Sequence, residues 1–196
     1  GQRHRKELDF PKKCARSLGV PHRVIDLIDV GRALSGSALT DDIDVPDGHY
    51  AQENMKITTV PNHNAIMLAI AFGVAGACGA DTVAAAVHGG DHFIYPDRRP
   101  DCIESFSKMQ EFALDGVADS SIYTPFLNWR KSDIVTEGNR FSVPFEHTRS
   151  CYKGGETHFE RCGTCVERRE AFDLAKLKDP TIYEDRNYWR SATKVN

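Results

Sequence analysis

The sequence lacks an excess of basic residues. Its 25 Lys and Arg side chains are outnumbered by 28 Asp and Glu side chains, which gives a formal net charge of −3 over 196 residues. No segment concentrates Lys and Arg into the basic surface that binding to nucleic-acid phosphates requires. The composition therefore argues against a nucleic-acid partner and favours a small-molecule ligand.

Long hydrophobic runs are also missing. The longest, residues 65–78, has fourteen residues, whereas a helix needs about 20 apolar residues to cross a bilayer. We therefore expect a buried helix and no membrane span. No signal-peptide pattern is present, and the six cysteines are unevenly spaced, which is typical of a protein of the reducing cytoplasm and not of a secreted, disulfide-bonded one.

The remaining pattern is that of an α/β protein. No linker, repeat or low-complexity segment divides the chain, so we predict a single domain over residues 1–196. Apolar periodicity predicts helices over residues 5–18, 61–78, 102–118 and 132–137, and from 162 onwards. Strands are predicted over residues 22–27, 81–87 and 122–125. Short apolar strands that alternate with helices indicate a parallel sheet.

Three cysteines form the most specific pattern. Cys151, Cys162 and Cys165 have the spacing C-x10-C-x2-C. We expect the glycine between Cys162 and Cys165 to let the backbone curl, so that both thiolates face one metal ion, as in half of a tetrahedral zinc site. A disulfide is the weaker alternative, because the composition indicates a reducing compartment.

A structural zinc ion takes four ligands, and these cysteines supply three. His158, four residues before Cys162, would complete a Cys3His set. The alternatives are that His158 is a solvent-exposed loop residue and that Glu156, Glu160, water or another chain supplies the fourth ligand. We accordingly predict a zinc-binding segment over residues 150–176.

A polar segment after the second predicted strand is a candidate ligand site. Ligands of open parallel sheets bind beyond the carboxyl ends of the strands. Residues 88–99 follow such a strand and place Asp91, Tyr95, Asp97 and Arg99 near a Gly-Gly pair. We expect this segment to surround a polar heterocycle, and the alternative is an ordinary solvated turn.

The start of the predicted helix 61–78 is a second candidate. Free N–H groups at a helix N-terminus favour an anion such as a phosphate or a carboxylate. His63 and Asn64 would lie beside such an anion. Capping of the first turn by an asparagine is the simpler explanation of the same residues.

Five segments, taken in order, resemble the QueC family. They are Gly1-Gln-Arg-His4 with Glu7-Leu8, Val60-Pro-Asn-x-Asn64, His88-Gly-Gly-Asp-His92, Tyr95-Pro-Asp97 with Arg99-Pro100, and Cys151-Tyr-Lys-Gly-Gly-Glu156 with Cys162-Gly-Thr-Cys-Val-Glu-Arg168. The resemblance extends from the first residue to about Phe172. Five ordered motifs are far more specific than any one of them.

The resemblance implies a PP-loop ATP pyrophosphatase fold with a Rossmann-like parallel sheet, one zinc per subunit and a homodimer. The implied reaction converts 7-carboxy-7-deazaguanine, ammonia and ATP, with magnesium, into the nitrile preQ0 of queuosine and deazapurine biosynthesis. Because a carboxylate is a poor acyl donor, ATP adenylates it before ammonia attacks, and a second activation of the amide leaves the nitrile. The reaction needs no side-chain nucleophile, so we assign no catalytic residue and expect positioning and phosphate electrostatics to dominate.

Three features depart from the family's pattern. Phe159 stands where family members usually carry a fourth cysteine, and His63 stands where they usually carry an arginine. The ATP-binding signature Ser-Gly-Gly-x-Asp-Ser does not occur in the sequence, so we expect a fragment, or a split or degenerate form, without the first strand and the ATP loop. The alternatives are a non-catalytic, zinc-stabilised deazapurine-binding or scaffold protein, and a PP-loop ligase that activates another carboxylate.

Overall fold

The computed structural model describes residues 8–154 and 156–194, and at Asp91 it describes the backbone alone. The first motif of the family resemblance, in residues 1–8, therefore falls almost wholly outside the described residues. The chain divides into two compact units. Unit 1 comprises Gly1–Val60 and Ser132–Asn196, and unit 2 comprises Pro61–Lys131. The expectation that residues 1–196 form one domain stays a prediction.

The described residues form seven α-helices and one pair of strands. The helices are α1 (Asp9–Leu18), α2 (Ile28–Ala33), α3 (His63–Cys78), α4 (Pro100–Ala113), α5 (Lys131–Arg140), α6 (Gly163–Leu174) and α7 (Tyr188–Ala192). The strands are β1 (Thr82–Ala84) and β2 (Ser121–Tyr123). Short 3-10 turns lie at Glu53–Thr58, Gly89–Phe93, Pro96–Arg98 and Phe145–His147.

Unit 2 contains the sheet. Strands β1 and β2 are parallel, with Val83 opposite Ile122, so the predicted α/β class with a parallel sheet is confirmed. Strand β1 is shorter than the predicted 81–87 because its partner ends early. Pro125, just beyond β2, has no N–H group with which to extend the ladder.

Helix α3 packs against this sheet. Leu68, Phe72 and Ala75 are its buried residues, and the ring of Phe72, only 1% exposed, lies 5.9 Å from that of Phe106 in α4. The rest of α3 is half-buried or exposed, so the prediction of a wholly buried helix holds for one face only. The helix ends where expected, at Gly79 in the left-handed conformation with φ 70°.

One helical stretch, Glu53–Cys78, has the length and apolar composition to cross a membrane, and 22% of its most apolar window is buried inside the protein. The stretch is not one continuous helix. Residues 59–62, including Pro61, separate a 3-10 turn from α3. Since α3 itself has 16 residues, it is shorter than the roughly 20 residues that a bilayer requires.

Unit 1 confirms one local prediction and overturns another. Helix α1 ends at Leu18, and Gly19 follows with φ 64° and donates its N–H to the carbonyls of Ala15 and Arg16. The strand predicted over residues 22–27 is wrong, because that segment is irregular and pairs with no described strand. A single apolar segment without a ladder partner leaves its backbone groups to water.

A buried ion pair fastens the C-terminal part of unit 1. The guanidinium of Arg168 in α6 lies 3.2 Å from the carboxylate of Asp179, and both side chains are almost fully buried. The hydroxyl of Tyr183 donates to the same carboxylate at 2.6 Å, as does the backbone N–H of Thr181 at 3.0 Å. Arg168 also donates to the Thr148 hydroxyl at 2.7 Å. The pair is thus fully hydrogen-bonded, which is the condition under which buried charges are tolerated.

These contacts set the ionisation of Asp179. Burial alone would raise the pKa of its carboxyl, but the positive charge of Arg168 and the hydrogen bonds from Tyr183, Arg168 and Thr181 outweigh burial and leave the pKa lowered. A carboxyl whose folded pKa is depressed stabilises the fold above its unfolded pKa of about 4. That stabilisation is lost as the pH falls through the lower, folded pKa.

We expect Asp179→Asn to lower the free energy of unfolding at pH 7 by about 3–5 kcal/mol, because it leaves a buried guanidinium without its counter-charge. Tyr183→Phe removes one hydrogen bond to a charged acceptor and should cost less, about 1.5–3 kcal/mol. Urea unfolding of the three proteins measures both differences. The gap between wild type and Asp179→Asn should narrow as the pH falls below about 4, and a gap that widens there would contradict this account.

Candidate functional site

The three predicted metal ligands meet at one point in unit 1. The sulfur atoms of Cys151, Cys162 and Cys165, here called the cysteine cluster, all lie within 4.8 Å of one another. All three residues are 0% exposed, and none is in a disulfide. Thiolates that share one zinc ion at about 2.3 Å lie roughly 3.8 Å apart. The cluster therefore has the spacing and the donor atoms of a site for a thiophilic dication such as zinc.

The start of helix α6 positions two of the three sulfurs. Cys162 is the N-cap residue of α6, and its carbonyl accepts the N–H of Cys165 at 3.0 Å. Residues three apart at a helix start lie on the same side, so both thiols face the third. The hydroxyl of Thr164 donates to the carbonyl of Ser150 at 2.6 Å, which fastens the residue before Cys151 to the same helix turn.

The glycine of this turn has a different role from the one expected. Gly163 has no left-handed backbone conformation, so the turn does not require its flexibility. A Cβ atom at this position would lie 3.0 Å from the sulfur of Met55 and 3.1 Å from the Cα of Tyr50. Glycine is needed because the 50–55 segment approaches the start of α6 closely.

The cysteine cluster shares its protons unequally. The pKa of the Cys151 thiol is strongly lowered, because the thiols of Cys162 and Cys165 donate hydrogen bonds to its sulfur. The pKa values of Cys162 and Cys165 are raised for the same reason, with burial adding to the effect. A bound dication would supply the charge that lets the buried thiols ionise.

His158 is buried near the cysteine cluster but is not one of the residues whose ligand atoms converge there. Its Nε2 accepts a hydrogen bond from the backbone N–H of Ser150 at 3.2 Å. Burial, and after it the charge of Arg149, lower the pKa of His158 to about 4. The expected alternative of an exposed loop histidine is therefore wrong, and the Cys3His set stays a prediction.

Glu160, another alternative for the fourth ligand, is also not one of the residues whose ligand atoms converge at the cysteine cluster. Its carboxylate is fully buried and lies 3.5 Å from Nε of Arg169. Burial raises the pKa of Glu160 to about 7, which the nearby charge of Arg169 opposes. Its backbone has φ 71°, an uncommon conformation for a residue with a side chain. No sequence pattern predicted the buried pair of Glu160 and Arg169, because the two residues are nine positions apart and no helix contains both.

In unit 2, the two candidate ligand segments meet at the start of α3. The backbone N–H and the side-chain amide of Asn64 both donate to one carboxylate oxygen of Asp97, at 2.8 and 3.0 Å. Asn62, the N-cap residue, makes no side-chain capping bond, so the predicted asparagine cap is wrong. The carboxylate of Asp97 takes its place, which a helix N-terminus favours.

Two further side chains lie around this helix start. Burial, and after it the charge of Arg98, lower the pKa of His63, while Asp97 acts in the opposite sense. The guanidinium of Arg98 also lies over the ring of Tyr95, 4.6 Å from its centroid. Arg98 was missed in the sequence, where only its position between Asp97 and Arg99 marks it. It places a permanent cation near His63.

The other two predicted pocket residues are Arg99 and Asp91. Arg99 donates its Nε–H to the backbone carbonyl of His92 at 3.0 Å, which closes the 92–99 segment on itself. The backbone of Asp91 lies in the 3-10 turn Gly89–Phe93, and its side chain falls outside the description. The structure therefore brings together His63, Asn64, Tyr95 and Asp97, with Arg98, while the role of all six predicted pocket residues stays a prediction.

Comparison with known proteins identifies a family and close relatives along the chain. The family model described as "Queuosine biosynthesis protein QueC" matches residues 1–176. A 7-cyano-7-deazaguanine synthase of Rhizobium meliloti is 66% identical over 193 residues, which cover 98% of this chain and 82% of the relative. The synthase of Brucella ovis is 63% identical over 194 residues, 99% of this chain and 84% of the relative.

The family match covers residues 1–176, and the two relatives are 66% and 63% identical to this chain. The resemblance that five short motifs suggested thus extends along nearly the whole chain. The chain belongs to the QueC family.

Proposed function

We propose that the protein is a 7-cyano-7-deazaguanine synthase, an ATP-dependent ligase that converts 7-carboxy-7-deazaguanine and ammonia into preQ0 in queuosine biosynthesis. The observation that carries this proposal is the 63–66% identity, over almost the entire chain, to relatives that bear this name.

The chemistry asks the protein for positioning and not for a nucleophile. ATP first converts the poor leaving oxygen of the substrate carboxylate into an adenylate, with pyrophosphate released, and ammonia then displaces AMP to give the amide. A second adenylation activates the amide oxygen, and its departure with AMP leaves the nitrile. Holding the reactants in line and excluding water supplies most of the acceleration in such a reaction.

We assign the substrate and ATP pocket to the start of α3 and the 91–99 segment. Asp97 accepts both N–H groups of Asn64, and this fixes the plane of the amide, so that its carbonyl oxygen accepts an N–H of the deazaguanine ring. His63 is half-buried and its pKa is lowered, so it is neutral at pH 7 and binds through hydrogen bonds. Arg98 and Arg99 provide positive charge for the carboxylate and the phosphates.

The metal ion, which we take to be zinc, would be held by Cys151, Cys162 and Cys165. When bound, it supplies charge for three buried thiolates and a cross-link between the 151 segment and helix α6. We also propose that the enzyme uses ATP with magnesium, acts in the cytoplasm and functions as a homodimer. The nucleotide and the homodimer rest on the family resemblance, and the cytoplasm rests on the unevenly spaced cysteines and the lack of a signal-peptide pattern.

The purified metal-containing protein, expressed from its complete gene, should form preQ0 when supplied with 7-carboxy-7-deazaguanine, magnesium-ATP and ammonium. Mass spectrometry detects the nitrile and the intermediate amide. Binding of the deazapurine with no ATP consumption would contradict the enzyme proposal and favour the non-catalytic binding protein. Consumption of ATP with other carboxylates only would favour the alternative ligase.

We expect Asp97→Asn to lower kcat/KM roughly 100-fold, because the misplaced Asn64 amide no longer orients the substrate. Asp101→Asn is the matched control, since it makes the same change at an exposed residue in the first turn of α4. Steady-state kinetics of the three proteins provide the comparison. If Asp97→Asn and Asp101→Asn had equal kcat/KM values, Asp97 would have no part in the pocket.

A further inference from the structure

The cysteine cluster supplies three ligands and no described residue supplies a fourth. Among the described His, Cys, Asp and Glu side chains, Cys151, Cys162 and Cys165 are the group whose ligand atoms converge. Structural zinc sites are closed by four protein ligands, whereas sites with three protein ligands keep one position for water or another molecule. The cluster therefore has the ligand count of the second kind.

His158 is the nearest alternative, and its hydrogen bonds argue against it. Its Nε2 lone pair accepts the backbone N–H of Ser150, so the proton of the neutral imidazole is on Nδ1. Neither nitrogen then has a lone pair available for a metal. Backbone bonds at 3.0 and 3.1 Å to the 182–184 segment hold His158 on both sides, which opposes a rotation of the residue toward the sulfurs.

The residue beside the cluster has no ligand atom at all. The backbone N–H of Phe159 donates to the sulfur of Cys151 at 3.5 Å, and the partly buried Phe159 side chain packs against the hydrophobic core that contains the three cysteines. Glu160, the next residue, is engaged with Arg169. The backbone of Phe159 thus lies beside the cluster, while its side chain offers no atom that could bind a metal.

Charge around the cluster is compatible with an incomplete set of ligands. One dication and three thiolates carry a net charge of −1. The ammonium of Lys153 lies 4.2 Å from the centroid of the Phe159 ring, and the guanidinium of Arg161 lies 5.9 Å from it. Both cations are also paired with carboxylates, Lys153 with Asp47 at 2.6 Å and Arg161 with Asp185 at 3.3 Å, so the charge of the site is set mainly by the metal and its own ligands.

We propose that the cysteine cluster binds its metal through three thiolates and that an exchangeable small ligand from solution, water or a small anion, takes the fourth position. Because the three cysteines are fully buried, only a small ligand has room to enter. The proposal concerns coordination alone. It can fail while the protein is an active synthase, and the reverse is equally possible, so its test uses spectroscopy and metal release, not activity.

Cobalt substitution tests the open position directly. In the Co²⁺ protein, azide should shift the d–d absorption bands in a saturable manner, because it displaces the exchangeable ligand. His158→Ala should show the same azide response and the same intensity of sulfur-to-cobalt charge transfer as the wild type. A wild-type spectrum that azide leaves unchanged would overturn the proposal. Azide sensitivity that appears only in His158→Ala would identify His158 as the fourth ligand.

A substitution that closes the site gives the complementary test. Phe159→Cys should raise the charge-transfer intensity by about one third, from three thiolates to four, and should abolish the azide response. It should also slow zinc transfer to a colorimetric chelator at least about tenfold. Phe159→Ala is the matched control and should keep the three-thiolate intensity and the azide response. Equal spectra for Phe159→Cys and Phe159→Ala would contradict the proposal that the fourth coordination position lies next to residue 159. If Phe159→Cys does not fold, the cobalt spectra of the wild type and of His158→Ala decide the proposal.

Discussion

Three thiols held within 4.8 Å of one another, away from water, are the constraint on which unit 1 depends. The residues packed around them come from segments far apart in the chain, namely Ala38, Leu39, Val45, Val60 and Tyr183. The polar 34–52 segment, with little regular structure, is ordered by this packing. A metal ion in the cluster would therefore link segments of the chain that contain little helix or strand to stabilise them.

In unit 2, the carboxylate of Asp97 links two segments that are distant in the chain. Asp97 accepts two hydrogen bonds from Asn64 at the start of α3, where the positive end of the helix dipole favours a negative charge. The bond links two motifs that are 33 residues apart in the sequence. It also keeps a permanent cation near His63, because Arg98 belongs to the segment that Asp97 anchors.

The sequence correctly predicted those features that depend on residues close to one another in the chain. The spacing of Cys162 and Cys165 indicated a helix start with paired sulfurs, and Gly19 marked the end of α1 correctly. The errors arose where distant residues decide the outcome. The 22–27 segment has strand-forming residues but no partner strand, and the Asn62 cap was replaced by a carboxylate from another segment. The crowding that requires Gly163 comes from Tyr50 and Met55, which no local pattern reveals.

We expect a metal in the cysteine cluster to hold unit 1 together. Hydrogen–deuterium exchange of the metal-loaded protein, before and after removal of the metal by a chelator, tests it most directly. Amides of residues 37–60 and 150–193 should lose protection when the metal is removed, while those of α3 and β1 should keep theirs. Unchanged protection around Cys151 and Cys162, or an equal loss along the whole chain, would contradict the claim.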